Sequence, residues 1–489
     1  MRLILVLPVL LFGCMALASA RPAMVIWKHS PESIDPRYSQ TAADRNLLEL
    51  LHCSLYRFSA AGNLVGEVAA GPPRWKNDRE LVVPVRPDFH FHNGRQLTAA
   101  TIAANYRWYA KHRQGPWRDS PAPDIRAVKG AIHFRLKTPD ADLPAHLTRG
   151  ILTRAQVEGP RLERAGELIN CGPFTISAWT GDKMHLLRNT WYGKAMPAAS
   201  QNIRILFAES GSRLRKILAG GEWDLLQNFP PRAGRLLPSE LAAGRRVFQR
   251  DTYATTGLIF NLADKTTGDP GVRRAIAGSL DPAAIISSTL GNKAIRAHSF
   301  LPPGIAHQEQ KKKKDAKAVR PAGFRAKIKG KNLALLTRAN PDAVRVGRAL
   351  AVQLKRGGFT PRIITATPAE FLSRLSGKRF QLALHDWQQI RVPSHMAEVL
   401  ASTNQPPAGT NYAGFNHPET DTLLAKLMLP GSTGVRRKLQ EKLEQNVRDF
   451  RPYIWLWHSK NTAFIHNNLK GYTLFGDGSF RGLIRLDHN

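Results

Sequence analysis

The sequence predicts an α/β protein built from two lobes, and three observations lead to that expectation. Its 489 residues are more than a single hydrophobic core usually serves. Its composition, 43% hydrophobic and 22% charged, is typical of a packed globular protein. Its second half alternates apolar strand patterns with periodic helical patterns, which indicates a mainly parallel α/β lobe.

The first twenty residues have the pattern of a signal peptide. An apolar run over residues 3–12 is followed by the small-residue pattern Ala18-Ser19-Ala20, which a signal peptidase accepts. The run is too short to span a bilayer, and no later segment is long and apolar enough to do so. We therefore expect an exported, periplasmic or otherwise extracytoplasmic protein that starts at Arg21. Lipidation of Cys14 is the alternative interpretation of the same segment.

The first half of the mature chain predicts short strands and amphipathic helices joined by polar turns. Apolar residues at helical spacing favour one helix over residues 42–58, and Thr98 is placed to cap a second helix that runs through Tyr109. Strands are expected over residues 24–27, 81–83, 90–92 and 131–136, and a hairpin over 173–176 and 184–187.

The second half predicts the alternation that defines its lobe. A strongly periodic helix over residues 342–356 ends at Gly357-Gly358, a pair of residues that favours a helix end. Further helices are expected over residues 272–290 and 368–375, and strands over 333–336, 361–364 and 380–384. This order places each helix between strands of one sheet.

Three cysteines and scattered histidines limit the chemistry of the chain. Cys53 and Cys171 remain once the signal peptide is removed, and in an oxidising compartment they are expected to form a disulfide. The sequence cannot show how closely their Cα atoms approach. The 16 histidines are dispersed, and neither a C-x-x-C nor a catalytic nucleophile motif is present. We expect no metal site, no cofactor and no catalytic residues, and therefore not an enzyme.

The chain is strongly basic, with 71 Lys and Arg against 37 Asp and Glu and a formal net charge of +34. Such a field attracts anions, which favours an acidic ligand, an anionic lipid surface or nucleic acid. A generally basic surface without functional meaning is the alternative, because the charges are scattered. No nucleic-acid-binding motif accompanies them, so we expect no nucleic-acid partner.

Ordered motifs run along nearly the whole mature chain. They include Ser33-Ile34-Asp35-Pro36, Phe89-His90-Phe91-His92-Asn93-Gly94, Cys171-Gly172-Pro173-Phe174, Asn411-Tyr412-Ala413-Gly414-Phe415 and Asn468-Leu469-Lys470-Gly471-Tyr472. Each is weak alone, but in this order they resemble the family 5 extracellular solute-binding proteins, the dipeptide, oligopeptide and nickel binding components of ABC importers.

The resemblance implies a type II, cluster C-like periplasmic-binding-protein fold with an extra subdomain in the first lobe. It places the first lobe at residues 21–262 with the subdomain at about 72–167, the second lobe at 263–461, and a C-terminal return to the first lobe at 462–489. It implies a monomer that captures a small molecule or peptide by hinge closure and delivers it to an ABC permease in the inner membrane. Alternative cargoes are a nickel chelate, haem or an anionic solute, and a sensor or adaptor without transport is the alternative role.

The resemblance also implies where the ligand binds. In peptide-binding members an Asp three residues after a tryptophan holds the α-ammonium, whereas Ile390 stands at that distance from Trp387 here. Either the cargo lacks a free amino terminus or another group replaces the carboxylate. Asp386 and Arg391 lie near in sequence, and Arg391 suits a carboxylate or phosphate.

Further cleft residues follow from the same resemblance. Trp387 is expected to give the ligand broad apolar contact. Packing or solvent exposure is the alternative for each residue of the set. The remaining expected ligand-binding residues are Gln40, Thr41, Asn411, Tyr412 and Trp117.

Overall fold

The computed structural model describes residues 21–39, 41–117, 120–192, 202–227, 244–305 and 330–488. The predicted signal peptide, Cys14 and Gln40 lie outside the described residues. Within them, no helix is both long and apolar enough to cross a membrane.

The described strands are short except for two. They are β1 (Ala23–Trp27), β2 (Tyr56–Phe58), β3 (Leu64–Gly66), β4 (Arg74–Asn77), β5 (Glu80–Pro84), β6 (Asp124–Val128), β7 (Ala131–Arg135), β8 (Phe174–Thr180), β9 (Lys183–Arg188), β10 (Asn202–Phe207), β11 (Leu225–Gln227), β12 (Arg245–Phe260), β13 (Ala294–Arg296), β14 (Asn332–Arg338), β15 (Thr360–Ala366), β16 (Leu382–Trp387), β17 (Tyr453–His466), β18 (Leu469–Lys470) and β19 (Asp487–His488).

Many of the described α-helices begin at a side chain that accepts a hydrogen bond from the first turn, as Thr98 and Asn340 do. The helices are α1 (Ala42–Leu48), α2 (Ala99–Lys111), α3 (Leu143–His146), α4 (Arg154–Glu158), α5 (Gly211–Ala219), α6 (Pro270–Ser279), α7 (Pro282–Ile285), α8 (Pro341–Arg356), α9 (Pro368–Ser376), α10 (Met396–Leu400), α11 (Pro418–Leu427) and α12 (Thr433–Phe450).

One sheet of eleven strands passes through the described molecule in the order β15-β14-β16-β12-β17-β11-β1-β10-β9-β8, with β13 beside β17. Strand β14 is parallel to β15 and β16, and β1 is parallel to β10 and β11. Strands β12 and β17 are antiparallel to their neighbours. The predicted mainly parallel second lobe is therefore correct for β14–β16, while the complete sheet is mixed.

Separate hydrophobic clusters divide the fold into two lobes and a subdomain. The first lobe packs around β1, β10 and the C-terminal segment, where Trp27 contacts Phe480 with ring centroids 4.3 Å apart. The second lobe packs around β14–β16 and helices α8, α9, α11 and α12. The subdomain packs α2 against the small sheet β4-β5-β7-β6. The domain boundaries near residues 262 and 461 stay predictions, because β12 and β17 run through the sheet without a break.

Most predicted elements are confirmed, and three need correction. The helix over 42–58 ends at Leu48, because the following residues turn and Tyr56 pairs with Gly66 in the β2–β3 hairpin. The strand over 90–92 is absent, and His90 forms an isolated bridge with Gln96. The helix over 272–290 is interrupted after Ser279, since Pro282 starts a new helical turn.

A disulfide joins Cys53 to Cys171, with their Cα atoms 5.1 Å apart. Both residues are fully buried in the core of the subdomain. The next residue, Gly172, lies so close to Leu51 that a Cβ atom would stand 2.3 Å from the Leu51 carbonyl carbon. The disulfide and this close approach together fix the segment that leads from α1 to the subdomain.

Replacing Cys53 and Cys171 together by alanine is expected to lower the free energy of unfolding by about 2–5 kcal/mol, because the crosslink closes a sequence separation of 118 residues. Urea denaturation of the variant and of wild type measures the loss. Reduced wild type is the matched control, since it loses the crosslink without losing the sulfur atoms. Equal midpoints for oxidised and reduced wild type would contradict the prediction.

Candidate ligand-binding cavity between the lobes

A cavity of about 280 Å³ lies where the first lobe, the subdomain and the second lobe meet. The second lobe supplies the loop after β16, and the first lobe supplies α1 and the C-terminal segment. The charged and polar side chains on its wall are Ser39, Arg45, Glu49, His52, Ser54, His146, Thr148, Arg149, Gln389, Arg391, His395 and Arg481.

The loop after β16 is hydrogen-bonded to a bulge in the neighbouring strand β12. The pairing of β12 with β17 shifts register between Asp251 and Thr255, which leaves the intervening residues out of the ladder. Within this bulge, the carbonyl oxygen of Tyr253 accepts a hydrogen bond from the Ile390 backbone N–H at 2.8 Å. The bulge thus fixes the two residues that flank Ile390 at the cavity.

Those two residues are Gln389 and Arg391, which contact each other. Gln389 has a φ of +59°, a left-handed conformation that a non-glycine residue adopts at an energetic cost. Its side-chain oxygen accepts a hydrogen bond from Arg391 Nε at 2.8 Å. The Arg391 guanidinium also lies over the Phe58 ring, 5.3 Å from the centroid, and its Nη2 is 3.4 Å from Asp477 Oδ2. Arg391 is therefore positioned by contacts to both lobes.

Helix α1 forms the opposite wall. Arg45 and Glu49 are four residues apart at the end of this helix and lie on one face of it. Burial and the repulsion from Arg149 and Arg391 lower the pKa of Arg45 to about 10, against the opposing effect of Asp44 and Glu49. The cationic groups of the wall are thus close enough to influence one another.

Arg481 is held by two carboxylates, the buried Glu67 and the partly exposed Glu49. Its Nη2 donates to both oxygens of Glu67 at 3.0 Å, and its Nε is 3.3 Å from Glu49 Oε2. Glu67 also accepts hydrogen bonds from the Tyr192 hydroxyl at 2.5 Å and from the Ser54 backbone and hydroxyl. Burial alone would raise the pKa of Glu67, but Arg481 and these donors bring it below its usual value.

Glu49 behaves differently although it contacts the same arginine. Burial raises its pKa, and the charge of Asp477 adds to that rise against the opposing effects of Arg481 and Arg391. Glu49 therefore carries its negative charge less readily than an exposed glutamate would.

Two histidines of the wall have lowered pKa values. Burial lowers the pKa of His395 to about 3, and the neighbouring His146 and Arg391 contribute to the decrease. Burial also lowers the pKa of His52, whose Nε2 lies 2.9 Å from the carbonyl oxygen of Ile34. Both imidazoles are neutral near pH 7, so these two histidines add no positive charge to the wall.

The lobes are joined beside the cavity by a carboxylate of the subdomain. Asp142 accepts a hydrogen bond from Arg436 Nη2 at 2.6 Å and one from the Ser394 backbone N–H at 2.9 Å. Arg436 belongs to α12 and Ser394 follows the loop after β16, so both partners are in the second lobe. These bonds set the distance between the two sides of the cavity.

Of the ligand-binding residues predicted from the sequence and described here, Arg391 lines this cavity. Thr41 caps α1 by accepting a hydrogen bond from the Asp44 backbone N–H at 3.0 Å, and it is exposed. Asp386 accepts a hydrogen bond from the Thr256 hydroxyl and pairs with Arg338 at 3.5 Å. Thr41 and Asp386 therefore have structural partners outside the cavity.

The other predicted residues are packed in the cores. Trp387 is 6% exposed and lies among the aromatic rings of the second lobe, with the Trp455 centroid 5.4 Å away. Asn411 is fully buried and bonds the carbonyl oxygens of Ala401 and Phe415. In this structure Trp387 contributes to core packing and Asn411 to loop geometry, and neither lines the cavity.

Tyr412 and Trp117 are also buried. The Tyr412 ring lies 5.9 Å from His385 in the second lobe, and Trp117 packs edge-on against Tyr106 in the subdomain core. Any contact of these residues with a ligand stays a prediction, as it does for Arg391.

The sequence did not single out Arg45, Arg149, Arg481, Glu49 or His52 as site residues. Only the net basic charge of the chain pointed towards them, and it gave no position. A helix that begins three residues before Arg45 could have drawn attention to that arginine, but nothing in the local pattern separates it from the other basic residues.

A family model described as bacterial extracellular solute-binding proteins, family 5 Middle, matches residues 63–407. The chain belongs to this family. It is 24% identical over 395 residues to the peptide transport periplasmic protein SapA of Salmonella typhimurium, an alignment that covers 75% of this chain and 71% of SapA. It is 20% identical to the oligopeptide-binding protein AppA of Bacillus subtilis, over 90% of this chain and 87% of AppA. The family and these relatives are substrate-binding proteins.

Solved structures share the fold of this family 5 protein. The ABC transporter substrate-binding protein CtaP of Listeria monocytogenes superposes with a TM-score of 0.81 at 19% identity, covering 96% of this chain and 99% of CtaP. AppA of Bacillus subtilis in complex with a nonapeptide gives a TM-score of 0.69 at 16% identity, covering 96% and 99%. The two-lobed type II fold expected from the sequence is confirmed.

Replacing Glu67 by glutamine is expected to lower the free energy of unfolding by about 3–5 kcal/mol at pH 7, because it leaves a buried guanidinium without its main counter-charge. The pKa of Glu67 is lowered in the folded protein, so its stabilisation is present above the ordinary glutamate value and is lost as the pH falls through the lowered value. Urea denaturation between pH 7 and pH 3 should therefore show the difference from wild type shrinking with acidity.

Glu80→Gln is the matched control, since Glu80 is 36% exposed and lies 3.6 Å from Arg135 on the surface. Its effect should stay below about 1 kcal/mol. A Glu67 variant as stable as this control would contradict the prediction.

Proposed function

We propose that this protein is the extracytoplasmic substrate-binding component of an ABC importer. It takes a peptide between its lobes and delivers it, by hinge closure, to a permease in the inner membrane. The observation that carries the proposal is a cavity whose wall is built by both lobes, in a chain of family 5. Such a cavity changes its volume when the lobes move, which couples ligand capture to the shape of the protein.

The peptide class is supported by the relatives. SapA is named for peptide transport, and AppA is named for oligopeptides and has been solved with a nonapeptide. The cavity of about 280 Å³ and a second one of about 190 Å³ share Gln389, and the second is lined by Trp27, Asn461 and Asp477. Together they provide room for a short peptide, because ligand sites commonly measure about 300–1,000 Å³.

The hinge follows from the two long strands. Strands β12 and β17 pair on both sides of the register shift between Asp251 and Thr255, so each lobe has its own ladder. The bulge between them lacks regular pairing and is the segment where the strands bend most easily. Its contact with Ile390 then transmits a change in lobe angle to Gln389 and Arg391 on the cavity wall.

A mixture of tri- to nonapeptides is expected to raise the thermal unfolding temperature of the purified protein. A ligand present at 100 times its Kd stabilises the native state by about 2.7 kcal/mol. Differential scanning fluorimetry measures the shift, and native mass spectrometry detects any peptide that is carried through purification.

Thr148→Trp places a large ring on the cavity wall and should abolish the shift. Thr360→Trp, at an exposed position on the edge strand β15, is the matched control and should retain it. An unchanged unfolding temperature of wild type with every peptide, together with an empty protein by mass spectrometry, would contradict the proposed function.

A further inference from the structure

The cavity wall has an excess of cationic side chains. Among the described residues that line it, four are arginines and one is a carboxylate, Glu49. The arginines come from distant parts of the chain: Arg45 from α1, Arg149 from the segment before α4, Arg391 from the loop after β16 and Arg481 from the C-terminal segment.

Two buried carboxylates behind the wall, Glu67 and Asp477, pair with Arg481 and Arg391. Glu67 and Asp477 have side chains that are 2% and 4% exposed. Neither lines the larger cavity, and Asp477 lines only the second, smaller one. They hold Arg481 and Arg391 in place, and a ligand in the cavity meets the guanidinium groups first. Glu49, the carboxylate that does face the cavity, has a raised pKa because it is buried. The wall therefore presents mainly positive charge to a ligand.

The charges also repel one another across the cavity. Arg45 and Arg149 belong to the first lobe and subdomain, whereas Arg391 belongs to the second lobe, and both Arg149 and Arg391 lower the pKa of Arg45. Drawing the lobes together brings like charges closer and raises the energy of the empty cavity. An anion placed between the lobes attracts the arginines on both sides, because each guanidinium can donate two hydrogen bonds to a carboxylate. It therefore offsets the repulsion between them.

The position of Arg391 is set by a strained residue. Gln389 adopts its left-handed conformation next to the cavity, donates from Nε2 to the Asp477 carbonyl oxygen at 3.4 Å and accepts from Arg391 Nε. Strain of this kind persists where the surrounding contacts enforce it, and it concentrates at ligand sites. Here the enforced geometry holds the cation of the second lobe opposite those of the first.

The wall offers little to a ligand ammonium. Ile390, between Gln389 and Arg391, is an apolar residue that is 2% exposed in the core of the second lobe. Glu49 is already in contact with Arg481 and Ser479. A ligand rich in positive charge would therefore lose hydration without gaining an adequate partner.

We propose, on the basis of the function proposed above, that the cavity selects short acidic peptides that carry at least two carboxylates besides any terminal ammonium. Arg45 and Arg149 bind the carboxylates of the peptide from the first lobe and subdomain. Arg391 binds them from the second lobe. The anion bridges the lobes, so the charge that selects the ligand also favours closure.

Isothermal titration calorimetry with three tetrapeptides of equal length tests this selection. The peptides are Ala-Glu-Ala-Glu, Ala-Gln-Ala-Gln and Ala-Lys-Ala-Lys, titrated into the purified protein at 50 mM and 500 mM NaCl. The acidic peptide is expected to bind at least about tenfold more tightly than the neutral one, since hydrogen bonds to charged groups contribute more than neutral ones. Its affinity should fall with added salt while that of the neutral peptide changes little.

Single substitutions test whether the preference for the acidic peptide comes from the cavity wall. Arg149→Gln and Arg391→Gln should each weaken the acidic peptide about tenfold or more and weaken the neutral peptide less, because the neutral peptide has only its terminal carboxylate to lose contact with. Glu49→Gln should tighten the acidic peptide, a gain that loss of folding cannot produce. Arg126→Gln is the matched control, because Arg126 is 74% exposed on β6 and pairs with Asp124 away from the cavity.

The remaining outcomes show whether this inference fails alone or together with the proposed function. Neutral or basic peptides that bind as tightly as the acidic one, with the arginine variants unchanged, overturn the acidic selectivity and leave peptide binding intact. An acidic preference that Arg126→Gln reduces as much as Arg149→Gln also overturns it, since the preference would then come from the net charge of the surface. Failure of all three peptides and of the wider peptide mixture overturns both proposals.

Discussion

The pairing of β12 with β17 is the interaction on which the rest of the structure depends. These are the longest described strands, and their ladder continues from Arg245 opposite His466 to Ile259 opposite Tyr453. In the first lobe, β17 also pairs with β11. In the second lobe, β12 also pairs with β16. Because both lobes share these strands, the course of the two strands and the contacts of Asp142 with the second lobe together set the separation of the lobes. Gly257 contributes to this arrangement, since a Cβ atom there would stand 2.9 Å from the Ile454 carbonyl oxygen.

The chemistry of the cavity depends on how buried charges are arranged behind it. Glu67 ties Arg481 of the C-terminal segment to Tyr192 and Ser54, and the same segment packs Phe480 into the core of the first lobe. Asp477 and Gln389 do the same for Arg391 from the other side. Buried carboxylates therefore position the cations, and the cavity is left with the outward faces of the guanidinium groups. Such pairs contribute little net stability compared with apolar residues of the same volume, so their value lies in the fixed geometry.

Much of the fold could be predicted from the sequence because its signals are local. The cap at Thr98, the periodic helix that ends at Gly357 and the alternating strands around it depend on neighbouring residues, and the structure confirms them. The family predicted from the motifs is also confirmed, and Asn411 and Trp387 occupy buried positions. Asn411 closes a loop with its side-chain hydrogen bonds, and Trp387 fills the second-lobe core. The helix expected over 42–58 failed because long-range pairing of Tyr56 with Gly66 overrides local periodicity.

The sequence by itself determined the family, the α/β class, the order of most elements and the presence of two cysteines able to pair. The tertiary structure decided which few of the 71 Lys and Arg residues meet at one cavity and which carboxylates stand behind them. Arg45, Arg149, Arg391 and Arg481 are separated by up to several hundred residues and share no local pattern. They meet because β12 and β17 join the two lobes in one sheet. Contacts between residues so far apart in the chain produce no periodic sequence pattern from which they could be predicted.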